Sequence, residues 1–143
     1  MSRDLIKPKA MAVFRRGKEI LVNEVRESDG RLVGFRIPGG HVEFAEYSKD
    51  TITREIREEL NAEIADVQLL GVLENVFTYL GQTGHEVIFV YGARFADDAL
   101  YTQDSLQAVE DNGTVFDLVW HDPQSLPEGA ALYPDGLLDL IAR

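Results

Sequence analysis

Ile52, Ile56 and Leu60 recur at every fourth residue, in a chain whose other apolar segments are short alternating runs broken by turn residues. One helix set among strands has to bury its apolar stripe on a sheet, which points to a mixed sheet with helices packed on its faces, an α/β (α+β) fold. Ser48 reads as the N-cap of this helix, and Asn61 suits a left-handed C-terminal turn. Residues 10–14 and 20–25 read as strands around a turn at 15–18, and residues 32–37 as a strand stopped by Pro38-Gly39-Gly40. Residues 67–79 and 86–95 look like a long hairpin turning at 81–84. Residues 97–113 read as a polar loop with at most one helical turn, 115–120 as a last strand, and 132–142 as a terminal amphipathic helix that has Tyr133-Pro134-Asp135-Gly136 at its start. With 143 residues the expectation is a single domain over residues 1–143, long enough to bury about two-thirds of its unfolded surface.

The central helix carries its charge in an arrangement that works against its own stability. Advancing about 100° per residue from Ile52, the apolar stripe covers roughly 0° to 80°, with Glu58 near 240°, Glu55 near 300° and Glu59 near 340°. Glu55 is i,i+4 to Glu59 and i,i+3 to Glu58, and like charges at these spacings repel. A hard divalent cation reverses that cost, because Mg²⁺ takes oxygen ligands and keeps positions open for water and phosphate. Gly39 and Gly40, just upstream, would let the backbone approach a ligand closely, with the Gly40 carbonyl available to it. Arg54 is a cation inside the acidic cluster that can pair with and aim a carboxylate, and Glu46 lies where it can reach Arg54. The run Arg54-Glu55-Ile56-Arg57-Glu58-Glu59-Leu60 is also what a solvated amphipathic helix looks like; the paired glycines and the outlying Glu46 tip the balance toward a site.

These residues resemble the Nudix box, G-x5-E-x7-R-E-U-x-E-E-x-G-U with U aliphatic: Gly40, Glu46, Arg54-Glu55-Ile56, Glu58-Glu59, then Asn61-Ala62. Six matched Gly or charged positions have a chance probability of about 10⁻⁸ to 10⁻⁷ per starting residue. Asn61 replaces the final Gly and Ala62 a larger aliphatic residue; neither is one of the carboxylates. The resemblance implies an α/β/α sandwich with a central catalytic helix and a C-terminal helix. It implies hydrolysis of a diphosphate bond in a nucleoside diphosphate derivative, with Mg²⁺ or Mn²⁺ as cofactor. By position, Glu55, Glu58 and Glu59 would be metal ligands with the Gly40 backbone, and Arg54 would orient the carboxylates with support from Glu46. The general base stays open between a helix glutamate and Glu110, which lies in a loop before the last strand. Arg36, His41 and Glu86 are candidate substrate-binding residues. Asn23-Glu24 stands where oxidised-purine sanitising members carry an Arg, which weakens an 8-oxo-dGTP assignment. A homodimer is compatible with the resemblance, and a catalytically silent nucleotide-binding or regulatory module of the same fold is the alternative to an enzyme.

Charge narrows the partners. The net charge is −11, distributed as +4 over residues 1–39, −5 over 40–66, −1 over 67–96 and −9 over 97–143. Gripping a nucleic acid polymer or an anionic membrane through a basic face is disfavoured, whereas a small diphosphate can still enter together with a cation. The absence of cysteine excludes disulfides, thiolate zinc sites and Cys nucleophiles. No apolar run approaches the roughly 18 residues a membrane helix needs, and the expectation is a cytoplasmic location. Three scattered histidines do not make a zinc site, and His85-Glu86 at the start of a strand reads as a strand-edge cap in preference to a polar pair facing the metal side.

Overall fold

Ala10, Met11, Ala12, Val13 and Phe14 are all buried, and an apolar run without polar alternation is what a strand covered on both faces requires. The computed structural model, which describes residues 4–142, places this run in the middle of the molecule. The strands are β1 (Ile6–Val13), β2 (Arg15–Arg16), β3 (Glu19–Arg26), β4 (Leu32–Arg36) and β5 (Gly39–His41). Helix α1 (Ser48–Leu60) follows, then β6 (Ile64–Tyr79), β7 (Gln82–Phe95), a 3₁₀ turn at Asp98–Thr102, β8 (Ser105–Val109), β9 (Val115–His121), β10 (Ala131–Tyr133) and helix α2 (Leu137–Ile141).

Two sheets result. One runs β5-β1-β7-β6, with β1 and β7 parallel and the other pairs antiparallel. The second runs β10-β4-β3-β9-β8, with β2 also paired to β3 and only β10 parallel to its neighbour. The alternation of β1 divides the core. Ala10 and Ala12 pack with Ile52 and Ile56 of α1, Leu106 and Ala108 of β8, and Leu118 and Trp120 of β9. Met11 and Val13 face the other way, toward Val22, Phe35, Ile88 and the α2 residues Leu137 and Leu140. Helix α1 rests on β1, β5 and β8 and so bridges the two sheets, while α2 covers β6 and β10. This is the expected mixed architecture with a helix on each side.

Several local expectations change. Ser48 is the first helical residue and not the cap: Tyr47 holds the cap position without a side-chain bond, and Ser48 Oγ instead lies 2.6 Å from the Tyr91 hydroxyl. Asn61 takes the expected left-handed conformation, φ 52°. The hairpin turns at Leu80-Gly81, both at positive φ, the two-residue geometry that matches strand twist, so the paired strands extend to Tyr79 and Gln82, further than a turn at 81–84 implied. The polar stretch 97–113 contains β8, which has only Leu106 and Ala108 buried, too short an alternation to stand out from its surroundings. The terminal helix is shorter than residues 132–142. Ala131–Tyr133 is strand β10 on β4, Pro134 brings no N–H to continue either element, and α2 starts only after Gly136, φ 93°.

Ile56 is fully buried where α1 meets both sheets. Ile56→Ala is therefore expected to cost about 2–5 kcal/mol, read as a lower midpoint in denaturant unfolding with an unchanged slope.

Candidate active site

Strand β5 lies flush on β1, with Met11 opposite Gly39, Ala10 opposite Gly40 and Lys9 opposite His41. A Cβ on Gly39 would run into the Ala10 carbonyl oxygen and come within 2.6 Å of Met11 Cα. A Cβ on Gly40 would run into the Glu55 carboxylate, 2.6 Å from its Oε2. The two glycines thus serve different purposes: the first lets two strands touch, the second leaves room for a carboxylate above the backbone. Because Ile52 and Ile56 fix the buried side of α1, Glu55 is turned toward β5, and Glu59 toward Glu110 in the turn that joins β8 to β9.

Arg54 organises the cluster. Its Nε donates to Glu46 Oε2 at 2.8 Å and its Nη2 to Glu46 Oε1 at 3.0 Å, a bidentate pair. Nη2 also donates to the His41 carbonyl oxygen at 3.1 Å, and Nη1 donates to Glu55 Oε1 at 3.0 Å and Glu58 Oε2 at 3.3 Å. Glu46 is itself held by the fully buried Thr51, whose hydroxyl donates to Oε1 at 2.7 Å, and by the Glu43 amide at 3.2 Å. Loop, strand and helix are thereby locked around one guanidinium. The Arg54 and Thr51 hydrogen bonds hold the Glu46 carboxyl down at about 2, and Glu46 in turn raises Arg54.

The neighbouring carboxylates behave in the opposite way. Burial pushes Glu55 up even though Arg54 opposes it, and burial together with the Glu55 and Glu110 charges pushes Glu59 up to about 8, against a smaller opposing pull from Arg36. Glu55 is 12% exposed and Glu58 45%. A half-buried carboxylate pair that resists ionisation beside an open cradle of glycine backbone is a donor set of the kind a hard divalent cation satisfies. Among the described residues no three acidic or histidine side chains already converge on one point, since Glu55 and Glu58 are drawn toward Arg54.

Two connected cavities flank this cluster. A groove of about 390 Å³ is lined by Gly40, Glu43, Arg54, Glu55, Glu59, Glu110, Asp111 and Asn112. A smaller one of about 160 Å³ shares Gly39, Gly40, His41, Glu59 and Glu110 with it, and extends to Lys9, Asn23, Arg36 and Phe116. Structure thus gathers Gly39, Gly40, His41, Arg54, Glu55, Glu59, Glu110 and Arg36 around one opening, with Glu46 and Glu58 attached through Arg54. Glu86 lines neither cavity; it pairs with Lys9 at 2.9 Å. His85 lies 2.9 Å from Glu74 on the adjacent strand. Lys9, Asp111 and Phe116 were not singled out from sequence. The signal for Lys9 is its register opposite His41, visible only once β1 is paired with β5.

The NUDIX domain family model matches residues 6–140. The chain belongs to the Nudix family and is a Nudix hydrolase. A MutT NUDIX hydrolase from Burkholderia pseudomallei is similar to it, with 25% identity, a TM-score of 0.69 and coverage of 96% of this chain and 97% of that one. A UDP-X diphosphatase shares the fold at 19% identity and TM-score 0.63, covering 99% of this chain and 64% of that one. So does an ADP-ribose pyrophosphatase from Streptococcus suis, at 18% identity and TM-score 0.54, covering 90% and 81%. Among the described residues no helix is long and apolar enough to cross a membrane.

Two outcomes follow from the Arg54 hub. Arg54→Lys keeps the charge but loses the fork to Glu46, and is expected to lower activity roughly 10- to 100-fold with the circular dichroism spectrum unchanged. Glu46 sits near 2 when folded against a usual 4.5, so its share of stability is present above pH 4.5 and disappears as the pH falls toward 2. The stability difference between wild type and Glu46→Gln is therefore expected to shrink over that interval in denaturant titrations at stepped pH.

Proposed function

We propose that this chain hydrolyses a diphosphate bond in a nucleoside diphosphate derivative, a nucleoside triphosphate or a nucleotide sugar being typical, and that Mg²⁺ is its cofactor with Mn²⁺ able to replace it. Glu55, Glu58 and Glu59 with the Gly40 carbonyl would hold the cation, which when bound neutralises phosphate oxygens and makes water more acidic. Arg54 would hold Glu55 and Glu58 together beside the groove, and Glu46 keeps Arg54 from swinging away. Glu110, facing Glu59 across the opening, or a helix glutamate would accept a proton from the attacking water. Arg36 and His41 line the path of the substrate beyond the reacting bond, and Glu86 steadies Lys9 behind them. The products would be two phosphorylated fragments, or a nucleotide and a phosphate. With a net charge of −11, the chain would act on small molecules in the cytoplasm, not on nucleic acid polymers.

The main support is one observation: a single guanidinium joins the glutamate of the loop to two glutamates of the helix, immediately beside a glycine whose missing side chain makes room for Glu55. Product release from a panel of nucleoside diphosphate derivatives with Mg²⁺ tests it. Turnover that requires the cation is the expected result; nucleotide binding without turnover of any substrate would leave only the silent-module alternative.

Glu58→Gln is expected to lower turnover by at least about 100-fold, since losing a ligand costs more than losing a ligand's support, with the fold retained. Millimolar Mg²⁺ should raise the melting temperature of the wild type by mass action. A smaller rise is expected for Glu59→Gln, measured by differential scanning fluorimetry.

A further inference from the structure

The smaller cavity has a wall chemistry of its own. Its apolar side is Met11, Ile37, Phe116 and Leu118, and the polar side chains that it does not share with the carboxylate groove are Lys9, Asn23 and Arg36. None of these three is an acid. Lys9 is already engaged by Glu86, and the Asn23 amide nitrogen donates to the Asp117 carbonyl oxygen at 3.3 Å. Arg36 is different. Its one side-chain hydrogen bond among the described residues is a 3.5 Å contact from Nη2 to Asn23 Oδ1, whereas Arg16, Arg26, Arg54, Arg57 and Arg94 each pair with a carboxylate, and Arg15 and Arg31, which also lack a carboxylate partner among the described residues, line neither cavity. In a chain with 25 acidic and 14 basic residues, a guanidinium that stands at a cavity without an acid partner has its donors free for something else.

We infer that this cavity receives the base of the nucleotide, and that Arg36 selects bases whose edge carries a ring oxo group over their amino counterparts; the inference rests on the diphosphate hydrolysis proposed above. A volume of about 160 Å³ accommodates one flat heterocycle and leaves the ribose and phosphates to the adjoining groove. A phosphate in the same place would set its charge against the apolar Met11, Ile37, Phe116 and Leu118 and beside the Glu59 and Glu110 that line the same cavity. A heterocycle instead lays its faces on Phe116 and Met11 and turns its edge to the guanidinium. Arg carries only donors, in a planar fork that matches an oxo oxygen alone or with a neighbouring ring nitrogen. An exocyclic amino group in that position meets donor with donor and leaves both unpaired.

Matched pairs isolate the edge: UTP against CTP, and ITP against ATP, each exchanging an oxo group and its neighbouring ring N–H for an amino group and a bare ring nitrogen. With Mg²⁺ and wild-type protein, kcat/KM is expected to favour the oxo member of both pairs by roughly 10- to 100-fold, and Arg36→Gln should bring each pair to within a few-fold. Equal rates, or faster amino members, in the wild type would overturn the inference while leaving hydrolysis intact. If no nucleoside diphosphate derivative of the panel above is turned over, the same comparison is made by binding UMP, CMP, IMP and AMP to the metal-free wild type, followed by NMR shifts of the Phe116 ring. Tighter binding of UMP and IMP then upholds the pocket and condemns the hydrolysis reading; equal binding, or none, overturns the pocket.

Discussion

The pairing of Arg54 with Glu46 is the contact on which the candidate site depends. Glu46 stands on the loop before α1 and Arg54 in its second turn, so their bidentate contact fixes how the chain enters the helix. The same guanidinium reaches the His41 carbonyl oxygen, which ties the helix to the end of β5. Its remaining N–H groups go to Glu55 and Glu58. Surface ion pairs contribute little to stability, but Arg54 is 24% exposed, Glu46 17%, and Thr51 beneath them fully buried. The fork, the hydroxyl and the amide of Glu43 leave Glu46 with little freedom. Position rather than raw stability is what such a network supplies.

What the sequence made legible is what local chemistry dictates. The apolar spacing of Ile52, Ile56 and Leu60 marked α1, and Asn61 marked its end, because both depend on residues within one or two turns. Glu46 and Arg54 could be linked for the same reason, being only eight residues apart. Four features escaped because they are settled by pairing and packing rather than by the local pattern. Strand β8 has two buried residues and owes its existence to pairing with β9; β10 is held by β4, nearly a hundred residues earlier. Ser48 has the right chemistry for a cap and fails to be one because the Tyr91 hydroxyl, on a strand far downstream, takes its oxygen. Lys9 and Phe116 join the cavity wall only through the way the two sheets meet.

Charge illustrates how a whole-chain number conceals a local one. A net −11 describes a surface that repels polyanions, yet the arginines are distributed with some care. Arg16, Arg57 and Arg94 are paired near their own positions or across one hairpin, Arg54 is surrounded by four glutamates, and Arg36 is left beside a cavity. The opening is thus acidic on the α1 side and basic on the β1 and β4 side, with Gly39, Gly40 and His41 as the boundary. A ligand that carries a cation at one end and hydrogen-bond acceptors at the other is complementary to that division.

The division has a structural origin in β1. Because that strand is buried on both faces, α1 can sit on one side and the β3–β4 sheet can close against the other, and β5 is pinned to its edge with its glycines pointing into the seam. Carboxylates crowded on an isolated helix would repel each other and fray it. Here Ile52 and Ile56 hold the helix from below and Arg54 restrains it from above, so Glu55 and Glu59 can be kept half-buried and reluctant to ionise. The unfavourable electrostatics fall on the carboxyl groups themselves, where the proposed cation would relieve them, while the helix beneath is held by its buried residues.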